Sequence, residues 1–105
     1  MAHVFDPKYV DEEVFLTMDF SPRLPTSPAV TVVSGDITLA VAIGVDAAVG
    51  SMMSGPAVVQ SSYVQRLCTL GVAGCTYEVT FTAVCSDGET LIAKRYLPVC
   101  DRITV

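Results

Sequence analysis

The sequence predicts an all-β fold, an antiparallel sandwich, on three observations. Hydrophobic residues recur with a period of two, turn-forming residues punctuate the chain every 8–12 positions, and no long stretch carries a helical apolar stripe. The 105 residues suffice for one hydrophobic core and leave no room for a second. A content of 51% hydrophobic and 16% charged residues excludes an intrinsically disordered chain. So few charges also imply that part of the surface is apolar because a partner covers it.

The first strand is read from Val14. Val14, Leu16, Met18 and Phe20 share one face and Phe15, Thr17 and Asp19 the other, until Ser21-Pro22 ends the run. Pro22, Pro25 and Pro28 stiffen an extended connector. Ala29 to Val33 resumes strand character, and Ser34-Gly35-Asp36 is a turn signal. Ile37, Leu39, Val41 and Ile43 then alternate with small residues. Gly44 to Gly55 is irregular and reads as a loop or one short helical turn. Val58-Val59 and Tyr63 to Leu70 give further strands, and Gly71-Val-Ala-Gly74 is a tight connection. Thr76 to Cys85 is the clearest strand, with Tyr77, Val79, Phe81, Ala83 and Cys85 on its inner face. At Ser86-Asp87-Gly88 the glycine supplies a hairpin's positive φ, and Thr90 to Val99 returns. Lys94 and Arg95 put charge on both faces of that strand, and Pro98 marks it as an edge or interface strand.

Tyr77, Gly74, Val79, Phe81 and Gly88 are the structural markers. A tyrosine three residues after Gly74, at the start of a penultimate strand, matches the tyrosine corner of immunoglobulin-like sandwiches. Its hydroxyl is expected to bond back to the preceding connection. The domain is expected to span residues 11–99, with residues 1–10 as an N-terminal arm and 100–105 as a tail.

The net charge of −5 and the absence of a Lys/Arg cluster argue against nucleic acid as a partner. Five acids face one lysine in the first 20 residues. Residues 38–59 are long enough to cross a membrane, but Asp46, three glycines and Pro56 interrupt them, so no membrane partner is expected. The opening octapeptide has neither a basic n-region nor an apolar h-region. Folding in a reducing compartment is therefore expected, with Cys68, Cys75, Cys85 and Cys100 as free thiols. A Cys68–Cys85 or Cys75–Cys100 bridge remains open under oxidising conditions. The cysteines are not in close pairs and the one histidine is His3, so no metal or other cofactor is expected.

Catalysis needs a positioned base, nucleophile or metal. His3 lies in the N-terminal segment, and Asp11-Glu12-Glu13 reads as a solvated charge run. No G-x-S-x-G, P-loop or G-x-G-x-x-G motif occurs. The expectation is a non-enzymatic protein working through contacts, with Phe5, Tyr9, Phe15, Met52, Met53, Tyr96 and Val105 as interface candidates. Met52 and Met53 also suit core gap-filling.

Several motifs occur in a recognisable order between residues 5 and 99. Asp19-Phe20-Ser21 with Leu24 is followed by the alternating Val/Ile strand and by Met52-Met53-Ser54-Gly55. Val64-Gln65, Gly71-Val-Ala-Gly74-x-x-Tyr77-x-Val79, Ser86-Asp87-Gly88 and Leu97-Pro98-Val99 complete the series. In this order the chain resembles small virion proteins of tailed bacteriophages, of the fibre–tail adaptor type. The resemblance implies an immunoglobulin-like sandwich set symmetrically, in copies of itself forming a ring, at the tail or head–tail neck. Tail tube, portal or neck, and tail fibre would then be its partners, and the virion, assembled in the host cytoplasm, its location. The four cysteines and the proline-rich connector depart from that pattern. A capsid decoration protein and a sugar- or peptide-binding module are the alternatives.

Overall fold

The structure is a computed structural model that describes residues 4–5, 7–26 and 29–100. Among the described residues seven strands form, β1 (Lys8–Tyr9), β2 (Val14–Asp19), β3 (Val32–Ile43), β4 (Met53–Gln60), β5 (Tyr63–Cys68), β6 (Thr76–Cys85) and β7 (Thr90–Cys100). Short 3-10 turns cover Ser21–Arg23 and Val49–Met52. The strands make two sheets, ordered β1-β7-β6-β3 and β2-β5-β4, which pack face to face as a β-sandwich.

Inward side chains of both sheets interdigitate as the core. Leu16, Phe20, Ile37, Val64, Cys68, Tyr77, Val79, Phe81, Ala83, Leu97 and Val99 are all buried. β6, central in its sheet, alternates strictly, with Tyr77, Val79, Phe81, Ala83 and Cys85 buried as expected. On β2, Leu16 and Phe20 are buried, Val14 and Met18 half-buried, and Phe15, Thr17 and Asp19 exposed. At the β6–β7 hairpin, the Cys85 carbonyl accepts from the Gly88 N–H and Gly88 takes φ +91°. Glycine alone adopts that backbone without steric cost.

Ser34-Gly35-Asp36 does not turn the chain. It lies within one continuous strand, just after a bulge where the register against β6 shifts between Val32 and Ser34. Gly35 stands there because a Cβ would lie 2.6 Å from the Thr82 carbonyl oxygen and 2.8 Å from a Val64 methyl. The glycine signals close approach of two backbones rather than a reversal. A second shift, between Val41 and Ile43, takes Ile43 out of phase, so its side chain is 65% exposed instead of joining Ile37 in the core. Ala29 makes only an isolated bridge to Thr26, and β5 stops at Cys68 rather than Leu70, whose φ of +58° ends the extended run.

The N-terminal segment lies along the sandwich. β1 pairs in parallel with β7 at Lys8↔Val99 and Tyr9↔Cys100, Val4 bridges Tyr96, and the Phe5 N–H donates to the Tyr96 carbonyl at 2.8 Å. β7 is thus flanked on both sides in its second half and is no edge there. Pro98 is accommodated because the ladder passes it by, the Val99 N–H donating to the Cys75 carbonyl. β7 runs on through Cys100, and the rest of the expected tail, residues 101–105, lies outside the described residues.

Candidate interaction site

Among the described residues two surfaces bear on function. The first lies on the outer face of the four-stranded sheet, where Thr76, Tyr96 and Pro98 meet Ala42, Ile43 and Val4 in a shallow apolar groove. Val4 is 63% exposed, and the bulge in β3 turns Ile43 into the same groove. Farther along that face the outward residues become polar, with Thr38 beside Thr80 and a 3.4 Å ion pair between Lys94 and Glu78. Past these polar residues the same face carries another exposed apolar side chain, Ile92, at 53%.

The second surface is the open side of the sandwich, along the unpaired edge of β2. A cleft lined by Phe5, Pro7, Lys8, Glu12, Val14 and Leu97 lies at one end. Another, lined by Met18, Asp19, Arg23, Ile92, Lys94 and Arg95, lies at the other. Phe5 closes the floor of the first by meeting the Phe81 ring edge-on, centroids 6.0 Å apart. Arg23 donates to the Ile92 carbonyl across the second at 2.9 Å.

The expected interface residues divide among these places. Tyr96 lies in the groove and Phe15, 63% exposed, stands beside the β2 edge. Tyr9 is half-buried in β1, and Phe5 points into the sandwich. Met52 is not at the surface: it is 1% exposed, held in the core by the 3-10 turn, and Met53 packs half-buried against it. A flexible thioether fills an irregular gap under that turn, which removes Met52 from the interface set. Val105 lies outside the described residues.

Tyr77 makes the bond expected of it. Its Oη accepts from the Val72 N–H at 2.9 Å and donates to Asp46 Oδ2 at 2.8 Å. Burial first, and then the Asp46 carboxylate, push the phenol well above its ordinary range. The hydroxyl thereby ties together the loops before β4 and before β6. Gly74 lies in the second of these loops at φ +87°, and Val79 and Phe81 follow Tyr77 on the inner face.

Lys8 is a buried charge that the sequence did not disclose. It is 1% exposed, and its ammonium donates to the carbonyls of Tyr9, Val10 and Leu70. Burial lowers its pKa, while the charges of Cys68 and of Glu12, Asp11 and Glu13 oppose that shift. Cys68, buried nearby, is pushed up to about 11 by burial, moderated by Lys8. All four cysteines are free, Cys68, Cys75 and Cys85 buried and Cys100 half-buried.

Arg66 is the other unforeseen residue. It projects inward from β5, and its guanidinium donates to the carbonyls of Gly55 on β4 and Ile37 on β3 and pairs with Asp36 at 3.1 Å. No local signal marks Asp46 or Arg66, whose partners are far away in sequence, and the burial of Lys8 depends on distant Leu70 as well as on neighbouring Tyr9 and Val10.

Among the described residues no group of three His, Cys, Asp or Glu side chains is placed to hold a metal ion. Nor is any helix there long and apolar enough to cross a membrane. The fold and these two surfaces define the class, a β-sandwich with an apolar groove and one open side. No family model matches the chain, and no curated protein or solved structure gives a significant match.

Proposed function

We propose that this chain is a non-enzymatic structural protein acting through protein–protein contacts, an adaptor in the tail or head–tail neck of a tailed bacteriophage. The observation that carries the contact function is the groove around Tyr96, where Val4 and Ile43 remain largely exposed beside Pro98. Exposed apolar side chains gathered in one concavity favour a protein partner. The acidic net charge of −5 supports protein rather than nucleic acid as that partner.

The virion assignment rests on the ordered motifs between residues 5 and 99. The strand order supports the immunoglobulin-like reading: β2-β5-β4 against β7-β6-β3 follows strands B, E, D and G, F, C of a constant-type domain. In this reading neighbouring tail, neck or fibre proteins, and copies of the chain in a ring, seat on the groove.

Quantitative mass spectrometry of purified particles tests the proposal. Roughly a dozen copies per particle, a small multiple of a tail's rotational symmetry, is the expected result. Several hundred copies would make the chain a capsid decoration protein instead. Absence from the particle would overturn the virion reading.

A further inference from the structure

Among the described residues the sandwich has unpaired edges at two-residue β1, at the first half of β7, and at β2, β3 and β4, and the last three are not equally protected. β4 breaks its register between Ser54 and Val58, with Gly55 at φ +69° and Pro56 lacking an N–H. β3 is bulged near both ends, and Arg66 holds its Ile37 carbonyl. Bulges, prolines and capped carbonyls are the devices that stop an edge from recruiting another strand. β2 has none of them. It pairs with β5 in unbroken register from Val14↔Cys68 to Asp19↔Tyr63 and contains no proline, glycine or lysine.

The Phe20 N–H donates to the Ser62 carbonyl, so Phe20 belongs to the set that bonds toward β5. By the alternation of an antiparallel ladder, Val14, Leu16 and Met18 share that direction. The N–H and C=O groups of Phe15, Thr17 and Asp19 therefore point away from the sheet, toward the open side.

The charges along this edge are ordered. Asp11, Glu12 and Glu13 stand exposed before its start, and Arg23, Lys94 and Arg95 line the cleft beyond its end. An antiparallel strand carrying the same sequence of charges would set acids against bases at both ends. From these observations we propose that β2 is a self-pairing edge. Two copies of this chain join β2 to β2 about a two-fold axis through Thr17 and make one continuous six-stranded sheet.

This register uses every outward backbone group, pairing Thr17 with its own symmetry mate and Phe15 with Asp19. It turns the acidic run at 11–13 toward the basic end, Arg23, Lys94 and Arg95, of the second copy. On the inner side Leu16 meets Met18, apolar against apolar, and each acidic cleft end lies over the basic cleft end of its mate. Such an isologous contact closes on itself and leaves the groove around Tyr96 open. The proposal is thus independent of the virion reading.

The test is sedimentation of the full chain over a concentration series, at low and at raised salt. A dimer whose dissociation constant rises with salt is expected, because exposed charges are screened. Thr17→Pro removes one outward N–H and none of those facing β5, and is expected to give a monomer. Should that variant fail to fold, Thr17→Lys keeps the exposed position polar and sets two ammonium groups opposite each other across the axis. Its dissociation constant is expected to rise roughly tenfold or more. A wild-type chain that stays monomeric at millimolar concentration, or a dimer untouched by Thr17→Lys, overturns the proposal. The particle copy number bears on neither result.

Discussion

A single hydroxyl joins two loops of this sandwich. Tyr77 Oη takes a proton bond from Val72 and gives one to Asp46, and replacing it with hydrogen leaves both partners without their bond inside a closed site. Tyr77→Phe is therefore expected to cost about 1–3 kcal/mol of stability, read as a lowered denaturant midpoint. A midpoint within error of the parent would mean that water replaces the hydroxyl freely. Half of this arrangement was legible in sequence, since the spacing from Gly74 placed the hydroxyl near its own connection. Asp46 was not, because nothing local to it says that the loop folds over a strand 31 residues away.

Cys68 gives a residue-scale dependence on pH. Its thiol ionises near 9.0 when exposed and near 11 in the fold, so between those values the unfolded chain holds fewer protons. Stability must then fall as pH climbs through that window. Lys8 acts in the opposite sense, losing its proton first in the folded chain, below the ordinary 10.5. Cys68→Ala is expected to flatten the alkaline fall in stability, measured by chemical denaturation at several pH values. An unchanged slope would assign the fall to other groups, such as Tyr77.

At the scale of the element, β6 and β3 show what periodicity conveys. β6 is central and smooth, so its buried set could be counted off in twos. β3 has the same alternation in its sequence, yet its two bulges break the count. The bulge between Val32 and Ser34 comes just before Gly35, which Thr82 and Val64 approach closely from two other strands, and a one-dimensional pattern does not register crowding from across a sheet. Gly35→Ala should accordingly destabilise the fold by about 1–3 kcal/mol through overpacking. The thermal midpoint reads this directly, and no change would show that β3 can shift away from Thr82. The same reasoning accounts for Ile43, in phase with Leu39 by sequence but delivered to the surface groove by the second bulge.

For the whole molecule, the sequence implied the limits of β2, β6 and β7 closely, but it missed β1, divided β3 in two and did not show how the strands distribute between sheets. That distribution depends on residues such as Arg66, which links β5, β4 and β3 along one side of the sandwich. On the opposite side the link between β2 and β7 is weaker: Arg95 of β7 reaches Met18 Sδ of β2 at 3.8 Å, and Phe5, Lys8 and Arg23 make contacts beside it. One flank is therefore fastened and the other open, and this asymmetry leaves β2 available for pairing.

The parallel alignment of β1 with β7 has a mechanical consequence. Tension applied between the start of β1 and the end of β7 pulls these neighbours along their length in opposite senses. The Phe5–Tyr96 and Val10–Cys100 backbone bonds and the Lys8 grip on Leu70 then bear the load together in shear, instead of opening one after another like a zipper. A chain held at its two ends would resist extension as a brittle clamp, stiff until the pair slips and yielding all at once.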